Sequence, residues 1–112
     1  MKTLPLAATL AFALSSAAAS QTAPPLVADC GPVAGTVRVA DGVPVTPDMA
    51  RVSLDDARAA ALRAVPGATV TELELDEEDG FLVYEAELLR DGAEVDVTVD
   101  AGTGRVLCTE RD

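Results

Sequence analysis

After Pro66-Gly67 the hydrophobic pattern repeats every two residues, three times over. That alternation confines the chain to a sheet with one buried face, because successive side chains of a strand point to opposite sides. Thr71, Leu73 and Leu75 alternate with Glu72, Glu74 and Asp76. Leu82, Tyr84, Ala86 and Leu88 alternate with Val83, Glu85 and Glu87, and Val95, Val97 and Val99 with Glu94, Asp96 and Thr98. Glu77 to Gly80, Asp91-Gly92 and Ala101 to Gly104 supply the turns, and Val106 to Cys108 closes the run. With hairpin tips at Glu78-Asp79 and Asp91-Gly92, Leu73 should oppose Tyr84, Leu75 should oppose Leu82, and Tyr84, Ala86 and Leu88 should face Val99, Val97 and Val95. Every inward residue then meets another inward residue, as a one-sided sheet requires. A four-residue loop at 101–104 pairs Val99 with Val106 and sets Asp100 beside Arg105 on the outside.

Before Pro66 the period is helical. Ser53-Leu54-Asp55-Asp56 places a hydroxyl at the N-cap and a carboxylate three residues on, close to a capping box. Asp55 and Asp56 suit the positive end of the helix dipole. Leu54, Ala57, Ala61, Leu62 and Val65 share one face, and Pro66-Gly67 stops the element. The spacing predicts a three-turn helix over 54–64 whose mostly Ala face lies close against a sheet. The expected fold is therefore α+β, one amphipathic helix packed on a four-stranded antiparallel β-meander.

The chain opens with Lys2, its only lysine, an apolar run from Leu4 to Leu14, and small residues through Ser20. This is the pattern of a cleavable export signal spanning 1–20. The apolar run is about a dozen residues, against the roughly 20 of a spanning helix. No membrane span is expected after cleavage, and the working place is the periplasm or the exterior. Residues 21–51 read as a Pro/Ala/Val-rich lead-in, with a short strand near Thr36–Ala40 that could form a hairpin with Val43–Val45. Residues 52–108 hold the domain, and 109–112 are a tail. In an oxidising compartment Cys30 and Cys108, the only cysteines, are expected to pair. No C-x-x-C spacing, His or adjacent Lys supports reactive thiols.

Eight basic residues stand against 19 acidic ones, a net charge of −11 that grows more negative once Lys2 is removed. Such a chain does not bind nucleic acid through its phosphates. It attracts cations or a partner with a basic face. The absence of His removes the usual general base and metal ligand. No phosphate loop, zinc spacing or Ser/His pair is present, so no catalytic residue is assigned. The pairing above puts Glu72 next to Glu85 and Glu87 next to Asp96 on the outer face, flanked by Glu74 and Glu94. These six are the candidate partner-binding residues. A solvated exterior, a basic protein partner and a calcium ion all suit such a face. The tip Asp76-Glu77-Glu78-Asp79-Gly80 is only loosely like a calcium loop, since it lacks alternating ligands and a distant closing Glu. No metal site is assigned.

The order of pieces resembles the PepSY domain family. They are V-S-L-D-D-A-R-A-A-A-L, then V-P-G, then L-V-Y-E-A-E-L, then V-T-V-D-A-G-T-G-R-V, spanning Val52 to Leu107. The resemblance implies an extracytoplasmic α+β domain of the kind found in propeptides of secreted peptidases and as stand-alone units. It implies inhibition or modulation of a peptidase or other envelope protein, and no catalytic residue. The same resemblance gives Pro66-Gly67, Tyr84, Asp100, Thr103 and Gly104 structural roles. No peptidase domain is attached within the 112 residues, so action on a separate partner is expected.

Overall fold

A computed structural model describes residues 24–112. The expected export signal and its cleavage site lie outside the described residues. Among those described, no helix is long and apolar enough to cross a membrane.

One helix, α1 (Leu54–Ala64), packs on a five-stranded sheet: β1 (Leu26–Val27), β2 (Thr69–Glu78), β3 (Phe81–Arg90), β4 (Ala93–Asp100) and β5 (Val106–Arg111). The sheet order is β1-β5-β4-β3-β2. Strands β2 to β5 form the expected antiparallel meander. The fifth strand, β1, pairs parallel to β5 through Leu26↔Thr109 and Val27↔Glu110. The four-stranded expectation is thus corrected: a two-residue strand carries no alternation to read. A disulfide between Cys30 and Cys108, Cα atoms 6.1 Å apart, fastens the segment just after β1 to β5.

Helix α1 starts where the sequence placed it. Ser53 Oγ accepts the Asp56 N–H at 3.0 Å, and the Asp56 carboxylate accepts the Ser53 N–H at 3.5 Å. The buried face is Ala57, Ala60, Ala61 and Val65, whereas Leu54 and Leu62 stay 42% and 37% exposed. The small residues, not the two leucines, meet the sheet, because only they let the helix axis approach it. Beneath them lie Leu82, Tyr84, Ala86 and Leu88 of β3 and Val95, Val97 and Val99 of β4.

The β3–β4 register is as expected: Tyr84↔Val99, Ala86↔Val97, Leu88↔Val95. The β2–β3 register is displaced by two residues, giving Leu73↔Ala86 and Leu75↔Tyr84. The hairpin turns on Asp79-Gly80, both at positive φ (52° and 86°), rather than on Glu78-Asp79. Asp91-Gly92 turns the next hairpin the same way (52° and 80°). Two consecutive left-handed residues make the turn whose twist suits a tight hairpin, and Gly takes the second position without strain. A displacement of two keeps each side chain on its face, so the division into inside and outside survives while the partners change. Thr71, expected to point inward, is instead the extra residue where the register shifts between Val70 and Glu72. Strand β5 also runs past the expected end at Cys108, so residues 109–111 belong to the sheet.

Residues 30–36 cross the outer face at one end, and residues 37–39 then pair beside the start of β3 with Val39 in the helix-side core. The expected hairpin of 36–40 with 43–45 is absent. Instead the Leu82 N–H donates to the Val37 carbonyl at 2.8 Å and the Val39 N–H to the Gly80 carbonyl at 2.9 Å. Pro44 has no N–H to offer a partner strand, while the start of β3 has groups to share. Under this crossing Val83 and Asp100 are buried. Asp100 was expected outside beside Arg105. Its backbone N–H does donate to the Arg105 carbonyl at 2.8 Å, but its side chain is enclosed. Both carboxylate oxygens are used: Oδ1 accepts the Thr36 N–H (3.1 Å) and Gly102 N–H (3.3 Å), Oδ2 the Thr36 and Thr103 hydroxyls (2.8 and 2.7 Å). The site admits no side chain at residue 35, since a Cβ on Gly35 would stand 2.9 Å from Asp100 Oδ1.

Candidate functional site

The rest of the outer face is left uncovered and acidic. Each strand contributes carboxylates because its outward positions are Glu or Asp, and the register lines them up. Glu72 pairs with Glu87, Glu87 with Asp96, and Asp96 with Glu110, so four carboxylates stand in one row across β2, β3, β4 and β5. Glu74 pairs with Glu85 in the next row. The expected Glu87–Asp96 neighbours are therefore found. The expected Glu72–Glu85 pair is not, because the two-residue displacement gives Glu72 to Glu87 and Glu74 to Glu85. Glu94 lies two residues along β4 from Asp96, opposite Leu89.

Glu110 was missed as a member of this row. Two residues of β5, Val106 and Cys108, sit opposite the adjacent pair Val99 and Thr98, so Leu107 is an extra residue there. That bulge turns Cys108 and Glu110 outward, and a plain count of alternation cannot anticipate it. Glu110 also accepts the Cys30 N–H at 3.1 Å, which ties it to the disulfide.

A shallow depression of about 310 Å³ lies over these rows; seven of its eight lining residues are acidic and the eighth is Ala86. With no cation in the lining, three of these carboxylates, Glu85, Glu87 and Asp96, hold their protons more tightly than usual. Glu85 is pushed up to about 7, first by burial and then by the charge of Glu78, a hydrogen bond with it, and the charges of Asp76 and Asp96. Glu87 is raised chiefly by Glu72, then by burial and Asp96. Asp96 and Glu94 are raised by burial first and by Asp112 next. Asp100 behaves in the opposite way. Burial alone would raise it, but the hydrogen bonds from Thr103, Thr36 and Gly102 outweigh that and hold it below the ordinary carboxylate range.

Carboxylate oxygens of Glu87, Glu94 and Asp96 can come within 4.8 Å of one another. One Asp96 oxygen is enclosed and has no hydrogen-bond partner. The acidic tip, by contrast, uses its side chains on the chain itself. Asp76 accepts the Glu77 N–H (2.8 Å), Glu77 the Gly80 N–H (2.6 Å) and Asp79 the Val33 N–H (2.8 Å). These carboxylates shape the hairpin and its junction with the lead-in.

On the opposite side of the sheet a second concavity of about 650 Å³ lies between the start of α1 and β2. Val52, Leu54, Leu75 and Tyr84 line it with Pro47 and Ala50, and Arg51 is its one charged residue. The Tyr84 hydroxyl donates to the Val52 carbonyl at 2.7 Å. Burial, followed by the charge of Asp56, raises the Tyr84 pKa. Tyr84 thus serves the core and the edge of this groove together.

Residues 51–110 match the family model described as peptidase propeptide and YPEB domain. A 62-residue stretch is 37% identical to the uncharacterized protein YkoJ of Bacillus subtilis (strain 168), covering 54% of this chain and 36% of that protein. The chain therefore spans about a third of the length of that relative. No solved structure matches. The matched region begins just before α1 and contains the β2–β5 meander up to Glu110, one residue short of the end of β5. On that match, which takes in more than half of the chain, the protein belongs to the PepSY family.

Proposed function

We propose that this protein is an exported, non-catalytic binding module that docks a basic surface of a peptidase or other protein outside the cytoplasm. The observation that carries the reading is the in-register row Glu72–Glu87–Asp96–Glu110. Aligned like charges destabilise a sheet, and a basic partner relieves that cost when it docks. Family membership supports a link to peptidases, and the Cys30–Cys108 disulfide supports an oxidising compartment. The partner-binding residues are Glu72, Glu74, Glu85, Glu87, Glu94 and Asp96, with Glu110 added by the register.

The test begins with capture of partners from the host's extracytoplasmic fraction, followed by titration of the purified partner and assay of any peptidase activity it has. Reversing Glu72, Glu85, Glu87 and Asp96 to Lys should weaken binding by about tenfold or more, and binding to the native protein should weaken with salt. Unchanged affinity in the reversed variant would overturn the acidic-face mechanism.

A second reading is a calcium-responsive protein. It is favoured by the convergence of Glu87, Glu94 and Asp96 within 4.8 Å of one another. Hard cations take clustered carboxylate oxygens. Calorimetric titration decides it: absence of both heat and a melting shift at about millimolar calcium sinks the cation reading.

A further inference from the structure

We propose that the free edge of β2 accepts an extended segment of the partner as a sixth strand, and that this segment alternates Lys or Arg with apolar residues. This deepens the acidic-face reading above and rests on it.

Strand β2 ends the sheet order, and from Glu72 to Glu78 its pairing with β3 is unbroken. The opposite edge is different: β1 is two residues long, and the disulfide-bonded Cys30 follows it after two residues. The turn at Asp79-Gly80 makes Glu78 and Phe81 a hydrogen-bonded pair, so the even-numbered residues of β2 turn their backbone groups toward β3. Leu73, Leu75 and Glu77 turn theirs away from the sheet. The Glu77 N–H is taken by Asp76. Among the described residues the Leu73 and Leu75 N–H groups have no partner. They offer an incoming strand two donors, with the matching carbonyls beside them.

The side chains specify what that strand must be. On the outer face of β2 stand Glu72, Glu74 and Asp76, all exposed. Residues of an added strand beside them need positive charge. On the inner face Leu73 and Leu75 are half-buried, and Leu75 forms one wall of the apolar groove with Leu54 and Tyr84. Residues of the added strand beside them need apolar side chains, which would sit against the groove. Acidic residues on an edge are also a device against self-pairing. Here they argue against a second copy as occupant, because β2 against β2 would set one acidic stripe on another. They do not block a basic strand, and β2 carries no proline to blunt its edge.

The probe is a capped peptide of about ten residues, matched to the length of β2, with Lys and Val alternating. Three controls share its composition: one of scrambled order, one N-methylated at the Val amides, and one N-methylated at the Lys amides. In antiparallel addition the residues opposite Leu73 and Leu75 supply the bonding amides, so methylation at Val should weaken binding by about tenfold or more while methylation at Lys is tolerated; parallel addition reverses the two. Scrambling should cost about as much, and hydrogen exchange at Leu73 and Leu75 should slow on binding. Equal binding by all four peptides, without protection of Leu73 and Leu75, overturns strand addition and leaves the acidic-face reading standing. No binding by the alternating peptide, while a captured partner binds, also overturns strand addition alone. Undiminished binding by a protein carrying Glu72→Lys, Glu74→Lys and Asp76→Lys overturns both, since charge would then play no part.

Discussion

The Tyr84 hydroxyl donates to the carbonyl of Val52 at 2.7 Å, one residue before the N-cap of α1. This bond joins the middle of β3 to the point where the helix starts, within a core that holds no other aromatic ring among the described residues. Replacing Tyr84 with Phe keeps the packing and leaves a shielded carbonyl without its donor. The expected loss is about 1–1.5 kcal/mol of stability, read from urea unfolding with an unchanged m-value. A loss much smaller than this would mean that water reaches Val52.

Asp100 accepts four hydrogen bonds and is enclosed under residues 30–36. Asp100→Ala should cost about 3 kcal/mol, because two backbone N–H groups and two hydroxyls lose their acceptor. The carboxyl's folded-state pKa is depressed, so its contribution is complete above the unfolded pKa and fades as pH falls through the folded one. Acid unfolding of the native protein should therefore carry a step below about pH 4 that Asp100→Asn lacks.

The outer face has the opposite pH dependence. Glu85, Glu87, Glu94 and Asp96 have raised folded-state pKa values. In the unfolded chain these groups ionise at lower pH, so between the two values the folded state holds more protons and stability falls as pH rises. Melting temperature should rise on going from about pH 8 to about pH 5, before the Asp100 step is reached. Glu85→Gln should flatten much of that slope, since Glu85, at about 7, titrates within this window. A melting temperature that falls steadily across the same range would contradict the raised carboxylates.

Cys30 and Cys108 close a loop of 78 residues in sequence separation. A chain-entropy treatment of a loop that long gives about 4–5 kcal/mol, and measured values usually fall below such figures. The Cys30→Ser, Cys108→Ser variant should lose about 2–4 kcal/mol, and reduction of the native protein should match it. The N-terminal crossing should loosen first, visible as faster hydrogen exchange at Thr36 and Val39 than at Val97.

Thr109 is buried on the helix side of β5, opposite Val97, and its hydroxyl has no hydrogen-bond partner. Valine has the same shape without the orphan polar group. Thr109→Val should gain about 1 kcal/mol, which in a domain of this size raises the melting temperature by about 4–8 °C.

The helix, its capping box and the β3–β4 register were all readable, because each is set by residues close in sequence. Ser53 and Asp56 are three apart, and Asp91-Gly92 fixes its hairpin outright. The β2–β3 partners were misread by two because a run of four acids precedes Gly80 and any of several positions could centre the turn. The positive φ of Gly80 decides it. Strand β1 and the bulge at Leu107 left no periodic signal. The acidic character of the outer face was legible, but its extent was not. Val83 and Asp100 alternate like exposed residues, and only the crossing by residues 30–36, held by contacts as distant in sequence as Thr36 and Asp100, makes them interior. The bulge at Leu107 hid the place of Glu110 in the acidic row.

The order β1-β5-β4-β3-β2 also fixes how the molecule presents itself. The described chain begins beside β1, and the open strand β2 lies four strand spacings away, about 19 Å across the sheet. The two behave like the handle and blade of one tool. Whatever grips the β1 side leaves the β2 edge open, and the disulfide next to the handle fastens it covalently to β5.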